Sequence, residues 1–538
     1  MDEFALSPDG SRLVFVSGDP PRLWVQSLDS LESKALAGTE NSRYPFWSPA
    51  GDWIGHFRNG KLEKIALAGG PSQPIADAPN PRGAAWGADG VIIFAPNRTG
   101  GLYRVSSEGG AATTWTQLDQ KEGQDSHRWP WFVSGGRVLY MGRSTTKGSS
   151  LWLASLDGSK SKRLVEAESN VAFVPDAEGS TGYLLYAHQS TLSAQRLDLD
   201  RGELVRGPVV ITDNITSDLS PRFAFSASMN GSLAYRTGPS AVTTQLVWVD
   251  RQGRKIRTVG DPGLLHRPRL SPDGSRIVVW NRADSRMPPR GDLWVRDMSS
   301  NAALRFTFNE LPKMPVWSPD GSRIAFTELG TGGGARYVSK ASSGAGPEEE
   351  LPGPPSFFVL TDWASNGQLL YSDESGDASA DIWMADFKLG SKVAPYIRAP
   401  RKQVSGRFSP DSQWVTYASD QSGQFEIYIQ RAVSNQARWQ ISNLGGTEPV
   451  WRANGKELFY LAPDGKLMAV EIRFRNDGLD FSIPKALFDS GLRTSTFASA
   501  GLLNVSPDGE HFLLNREVGG EPPANVTIVL NWAETLRK

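Results

Sequence analysis

The sequence predicts an all-β chain of twelve four-stranded units closed into two rings of six. Three observations predict it. The phrase Ser-Pro-Asp-Gly-Ser-Arg recurs at 7–12, 271–276 and 318–323. Weaker copies of the same turn fall between and beyond these at near-regular spacing, and segments of helical period are almost absent.

The phrase reads as a hairpin. Proline presets the φ of the second turn position, aspartate bonds its own downstream backbone, and glycine accepts positive φ. Its flanks are apolar and β-branched, as in Arg12-Leu13-Val14-Phe15-Val16, so the turn joins two antiparallel strands. Such turns fall at 7–10, 48–51, 87–90, 134–136, 175–179 and 228–231. They continue at 271–274, 318–321, 364–367, 409–412, 452–455 and 506–509. The spacing of roughly 40 to 55 residues is the period of a propeller blade.

A third strand follows most turns, as in Leu23-Trp24-Val25, Leu151-Trp152-Leu153, Leu293-Trp294-Val295 and Ile382-Trp383-Met384. A polar turn and a short fourth segment such as 161–165 come next. Stacking such blades around an axis covers both their apolar faces and their edges. Tandem β-propellers are therefore expected, the first over 1–262 and the second over 263–538, with the seam near Asp261-Pro262-Gly263. A seven-plus-five split or a single wide ring is the alternative. The run 526–532 is a strong strand with no obvious fourth strand after it, so closure is expected to need the N-terminus or upstream residues.

Composition agrees with a repeat protein: 538 residues exceed one hydrophobic core, 55 Gly and 36 Pro mark many turns, and 18 Trp, 23 Phe and 12 Tyr supply apolar area. A formal net charge of -1 gives no global field for nucleic acid or an anionic membrane. Cysteine is absent, which excludes disulfides, thiolate metal sites and a cysteine nucleophile. The first residues, MDEFALSPDG, contain no signal peptide, and no run of 18 apolar residues occurs, so the chain as written is expected to be soluble.

Catalytic motifs are missing. There is no G-x-S-x-G elbow and no P-loop, and the string Ala385-Asp386-Phe387-Lys388 is the nearest approach to a kinase signature. The five histidines show no metal-ligand spacing, Asp198 and Asp200 make only a fragment of a calcium loop, and the glycines of 330–334 read as a surface loop. No cofactor and no metal are expected.

SPDGSR followed by an apolar strand, an LWV-like strand and a DG turn resembles the PD40, or WD40-like, repeat of TolB-type propellers over nearly the whole chain. Pro45-Phe46-Trp47-Ser48-Pro49, Ser126-His127-Arg128-Trp129-Pro130, Leu246-Val247-Trp248-Val249-Asp250-Arg251 and Val529-Leu530-Asn531-Trp532 resemble the C-terminal propeller region of bacterial membrane-anchored serine/threonine protein kinases. That resemblance implies an extracytoplasmic or periplasmic sensor or interaction module, with the kinase itself absent from this chain.

Comparison of the repeats singles out one position. Eight residues before the turn glycine, at the channel end of the innermost strand, stand Asp2, Arg43, Arg82, Arg128, His266 and Lys313, with Arg222 and Arg267 one residue off. On the same strand as Arg128, His127 and Trp129 are expected at the mouth, and Trp131 and Phe132 in the core. Converging arginines at a concave mouth fit a carboxylate or phosphate. The alternative is that they pair with carboxylates of the next blade and hold the ring together.

The expected function is non-enzymatic binding of a protein partner or a small anionic ligand at a propeller mouth by a monomer that neither binds nucleic acid nor inserts in a membrane. One rival is a propeller hydrolase or lactonase with axial carboxylates and a metal. The other is a structural scaffold of an envelope complex.

Overall fold

In the computed structural model, residues 3–533 are described apart from 19–20, 145–146, 159, 177, 218–221, 239–242, 284–289, 310–312, 330–334, 355–357, 374–380, 387–392, 400, 434–436, 476–477, 493–500 and 519–524. The glycine run 330–334, Asp2 and part of the string 385–388 lie outside the described residues. The rest forms twelve antiparallel sheets: ten of four strands, one of three and one of five. The chain divides into two compact units, Met1–Ser240 with Glu521–Lys538, and Ala241–Gly520.

Each unit is a six-bladed propeller. In the first, the inner strands are Phe4–Leu6, Arg43–Trp47, Ala84–Trp86, Gln124–Val133, Ala172–Pro175 and Phe225–Ala227. Each touches the next, and the sixth returns to the first. In the second they are Leu265–Leu270, Lys313–Trp317, Phe358–Trp363, Gln403–Phe408, Thr447–Trp451 and Leu503–Val505, again a closed circle. Among the described residues no helix is long and apolar enough to cross a membrane.

Both rings close differently from the sequence expectation. Thr244–Asp250 pairs with His511–Glu517, so the blade that closes the second ring is built from both ends of its unit. The seam therefore precedes Thr244 and does not fall at 261–263. Leu246 and Trp248 pack with Ile277, Val279 and Leu513, which fixes the early residues to the second ring. The final strand Thr527–Val529 pairs with Leu233–Tyr235 and completes the sixth blade of the first ring, so no fourth strand is needed after it in the twelfth. Val526 and Ile528 pack against a cluster of Phe4, Leu6, Phe15, Ala224 and Ala234, and this apolar burial drives the closure.

The repeated turn works as its residues dictate. Gly10 donates its N–H to Ser7 C=O at 2.8 Å with φ of +69°, and the Asp9 carboxylate accepts from the Ser7 hydroxyl and from Ser11 N–H and hydroxyl. Asp273 and Asp320 repeat the pattern. Between blades, the side chain five residues before the turn's end accepts an N–H from the next inner strand: Ser226 from Leu6 at 3.0 Å, Asn504 from Leu270 at 2.9 Å and Asp362 from Phe408 at 2.7 Å. The tryptophan of the WSP triplet adds a second tie, Trp47 to Ala5 C=O and Trp317 to Arg269 C=O.

The inner strands also bulge at a fixed place. Tyr44, Gly83, Trp129, Arg267, Ser405 and Glu448 have φ of +50°, +89°, +52°, +50°, +58° and +53°. Each stands seven residues before the end of its turn, at Gly51, Gly90, Gly136, Gly274, Ser412 and Gly455 respectively. Five of the six strands lose one step of register there. A bulge sets two residues against one, so the in-and-out alternation restarts beyond it.

Candidate functional site

The bulge turns Trp129 inward. It is 5 % exposed, packs edge-on against Tyr44 with ring centroids 5.1 Å apart, and lies over Gly83, where a side chain would collide with the indole. Trp131 and Phe132 are half-buried and pack against core clusters as expected, whereas Trp129, expected at the mouth, is buried as well. His127 is buried too. Its Nδ1 meets the Thr116 hydroxyl at 2.7 Å and its Nε2 meets Gln124 Oε1 at 2.8 Å. Burial pulls its pKa down to about 4, so at neutral pH it carries no charge.

Arg128 is the centre of what remains. It is 2 % exposed and its guanidinium is held by neutral oxygens: Nε donates to Ser126 Oγ and Nη2 to Arg98 C=O, both at 2.9 Å. Among the described residues it makes no other hydrogen bond and no ion pair. Burial holds its pKa well below the usual arginine range, and the charges of Arg143, Arg82 and Arg98 push the same way. The carboxylate that opposes them, Asp125, is taken by Arg143 through two 2.7 Å bonds. The loop around Arg98 is fixed beside the strand by Gly100 N–H to Asp125 C=O and His127 N–H to Gly100 C=O.

The other expected residues divide. Arg43 follows the pairing alternative: it binds Glu3 of the preceding blade at 3.1 Å, and the same carboxylate accepts Tyr44 N–H. Arg82 adjoins Arg128, and its Nη1 donates to the Pro81 carbonyl at 2.7 Å and to Asn80 Oδ1 at 3.2 Å. Arg222 is buried between the sixth and first blades and donates to Phe4 C=O at 2.8 Å.

In the second ring, His266 packs on Trp280, and burial with the charges of Arg282 and Arg267 lowers its pKa to about 4. Arg267 sits at the bulge, half-buried. Lys313 begins its inner strand, and its side chain lies outside the described residues.

Sequence reasoning missed Arg98, Arg143 and Asp125, which lie outside the counted position. It also missed a narrow cavity in the second ring lined by Arg269, Thr361, Ser405, Arg407, Glu448 and Pro449. Asp362 adjoins it, with Oδ1 4.0 Å from Arg407 Nη1, while that Nη1 donates to Thr361 C=O at 3.0 Å. Burial pushes the Asp362 carboxyl up to about 6. Counting back five residues from the turns reaches Arg269 and Arg407 of the lining and the adjoining Asp362, but not Thr361, Ser405, Glu448 or Pro449.

Four-stranded blades, SPDG turns between first and second strands, and two closed rings of six define a tandem β-propeller fold. No family model matches the chain. An uncharacterised protein of Agrobacterium fabrum is 23 % identical over 287 residues, spanning 51 % of this chain and 93 % of that one. Among solved structures, a putative TolB from Agrobacterium tumefaciens is 16 % identical with a TM-score of 0.40, covering 52 % of this chain and all of that one. The tricorn protease is 16 % identical with a TM-score of 0.30, covering 90 % of this chain and 49 % of its own.

Proposed function

We propose that the chain is a non-enzymatic binding module that receives an anionic group, on a protein partner or a small ligand, at the mouth of its first ring. One observation carries the reading: Arg128 is a buried guanidinium hydrogen-bonded only to neutral oxygens, with three further arginines near it and the carboxylate that opposes them, Asp125, bonded to Arg143. A buried cation whose one opposing carboxylate is bonded to another arginine is costly, and an incoming anion would offset that cost in partly dehydrated surroundings where the attraction is strong. Rigid blades hold the loops around it in place.

The wider role we propose is that of an extracytoplasmic sensor or interaction region of a bacterial signalling receptor. It is supported by the resemblance of 45–49, 126–130, 246–251 and 529–532 to the kinase-linked propellers. A reading frame continuing upstream into a transmembrane helix and a kinase domain would bear this out, and an in-frame stop codon immediately before Met1 would contradict it.

The anion reading is tested by thermal melting against acetate, succinate, sulfate and inorganic phosphate at constant ionic strength. At least one anion should raise the melting temperature of the natural protein and leave Arg128→Gln unmoved. Equal shifts in both proteins would show that the anions act elsewhere.

A further inference from the structure

The phrase Ser-Pro-Asp-Gly-Ser-Arg ends on an arginine whose surroundings differ between its copies. In the first blade of the second ring, Arg276 reaches the next blade, with Nη1 donating to the Ser342 hydroxyl at 3.1 Å and Nη2 to Gly321 C=O at 3.0 Å. In the second blade, Arg323 stays in its own sheet. Its Nε and Nη2 donate to the Ser339 hydroxyl at 3.1 and 3.0 Å, and Nη2 pairs with Glu349 at 2.9 Å. Arg137, which likewise opens the second strand of its blade, pairs with Asp200 at 2.9 Å. Arg12 opens the second strand of the first blade, yet among the described residues its guanidinium makes no hydrogen bond, ion pair or ring contact. Its charge reaches Asp9, whose carboxylate already accepts from Ser7 and Ser11.

Register shows why. Leu67 stands where Ser342 does: each donates its N–H at 2.8 Å to the residue after its turn glycine, Asp52 and Ser322 respectively. Val25 stands where Ser339 does, opposite Val14 and Ala325, the residues two past each arginine. Lys34 stands where Glu349 does, opposite Val25 and Ser339. Two hydroxyls and a carboxylate thus become two hydrocarbon side chains and a second cation. With Arg12, Glu32 and Ala35, these three residues line a cleft of about 670 Å³ between the first two blades. Among the described residues Glu32 pairs with neither cation, so two cations face one carboxylate across the cleft. None of the mouth residues lines it. We infer that this cleft binds an amphiphilic organic anion, its acidic head on Arg12 and Lys34 and its hydrocarbon part against Val25, Ala35 and Leu67. A guanidinium and an ammonium both form charge-assisted hydrogen bonds to a carboxylate or a phosphate, and apolar walls gain free energy when hydrocarbon displaces water from them.

The full chain is titrated calorimetrically at neutral pH and fixed ionic strength with hexanoate, hexyl phosphate, acetate and hexanol. Binding of either six-carbon acid supports the inference, and the tighter of the two assigns the head group. Acetate, which lacks the hydrocarbon, and hexanol, which lacks the charge, should bind at least ~10-fold more weakly than that acid. Arg12→Gln should weaken its binding at least ~10-fold. Lys34→Glu should do the same by another route, because it restores the charge that Glu349 places beside Arg323 and so pairs Arg12 within the protein. If Arg12→Gln fails to fold, Lys34→Glu decides, since Lys34 is exposed. Equal affinity in the natural protein and the variants places the anion elsewhere and overturns the site. Acetate binding as tightly as hexanoate overturns the amphiphile assignment, and hexanol doing so overturns the role of the two cations. No binding of either six-carbon acid up to about 10 mM overturns the inference outright.

Discussion

Asp362 gives the sharpest test of how charge is handled inside these rings. About a fifth of its side chain is open, 21 %, and it stands beside Thr361 and 4.0 Å from Arg407, two residues that line the narrow cavity. Burial raises its pKa to about 6 from 3.8, while Phe408 N–H, Arg269 and Trp363 N–H pull it back without winning. A carboxyl raised in the folded state destabilises the fold when ionised. The penalty is therefore largest above pH 6 and fades as pH falls from about 6 toward 4. A shift of two units corresponds to about 3 kcal/mol at pH 7, of which roughly half persists at pH 5. Asp362→Asn keeps an oxygen for Phe408 N–H and removes the charge. It should stabilise the second ring by up to ~3 kcal/mol at pH 7, with the advantage over the natural protein shrinking by ~1.5 kcal/mol at pH 5. Native-state hydrogen exchange of the Phe408 amide, compared between the two proteins at each pH, reads this locally and avoids assuming one cooperative transition for a two-unit chain. Slower exchange at pH 7 in the variant supports the assignment. Faster exchange with no dependence on pH would refute it, and would mean that attraction to Arg407 and Arg269 outweighs burial.

Two further outcomes concern the first ring. Burial lowers the pKa of His56 to about 3 and of His127 to about 4, so each contributes stability that is complete above 6.5 and is lost as pH falls below it, about 2 kcal/mol apiece at pH 5. His127→Gln should blunt the acid destabilisation of this ring, measured as the melting temperature at pH 7 minus that at pH 5, and an unchanged difference would count against the burial. Gly83 has a φ of +89° and faces the Trp129 indole, so Gly83→Ala combines a strained backbone with a steric clash. A loss of at least ~2 kcal/mol with a changed near-ultraviolet tryptophan dichroism is expected, and a neutral substitution would show that the bulge is softer than its packing implies.

The blades were legible because their signals are local. Pro8, Asp9 and Gly10 dictate a turn within four residues, and their counterparts repeat it around both rings. Closure was not legible, because pairing Thr244–Asp250 with His511–Glu517 joins residues more than 250 positions apart, and strand pattern alone carries no partner. The mouth was half legible. Counting eight back reached Arg82 and Arg128, but simple alternation misplaced Trp129, since the bulge at that residue resets the alternation and nothing in the letters Tyr44, Trp129 or Glu448 announces a positive φ. Arg98 reaches the site from a loop, and its contribution is a backbone carbonyl, which no side-chain pattern reveals.

The central claim is that the charge of Arg128 awaits an anion. Crystals of the full chain soaked in bromide, with bromine located by its anomalous scattering, test it most directly. A peak within hydrogen-bonding distance, roughly 3.3 Å, of Arg128 Nη1, lost in Arg128→Gln crystals, is the predicted result. Bromide occupying other arginines while Arg128 Nη1 holds only water would contradict it.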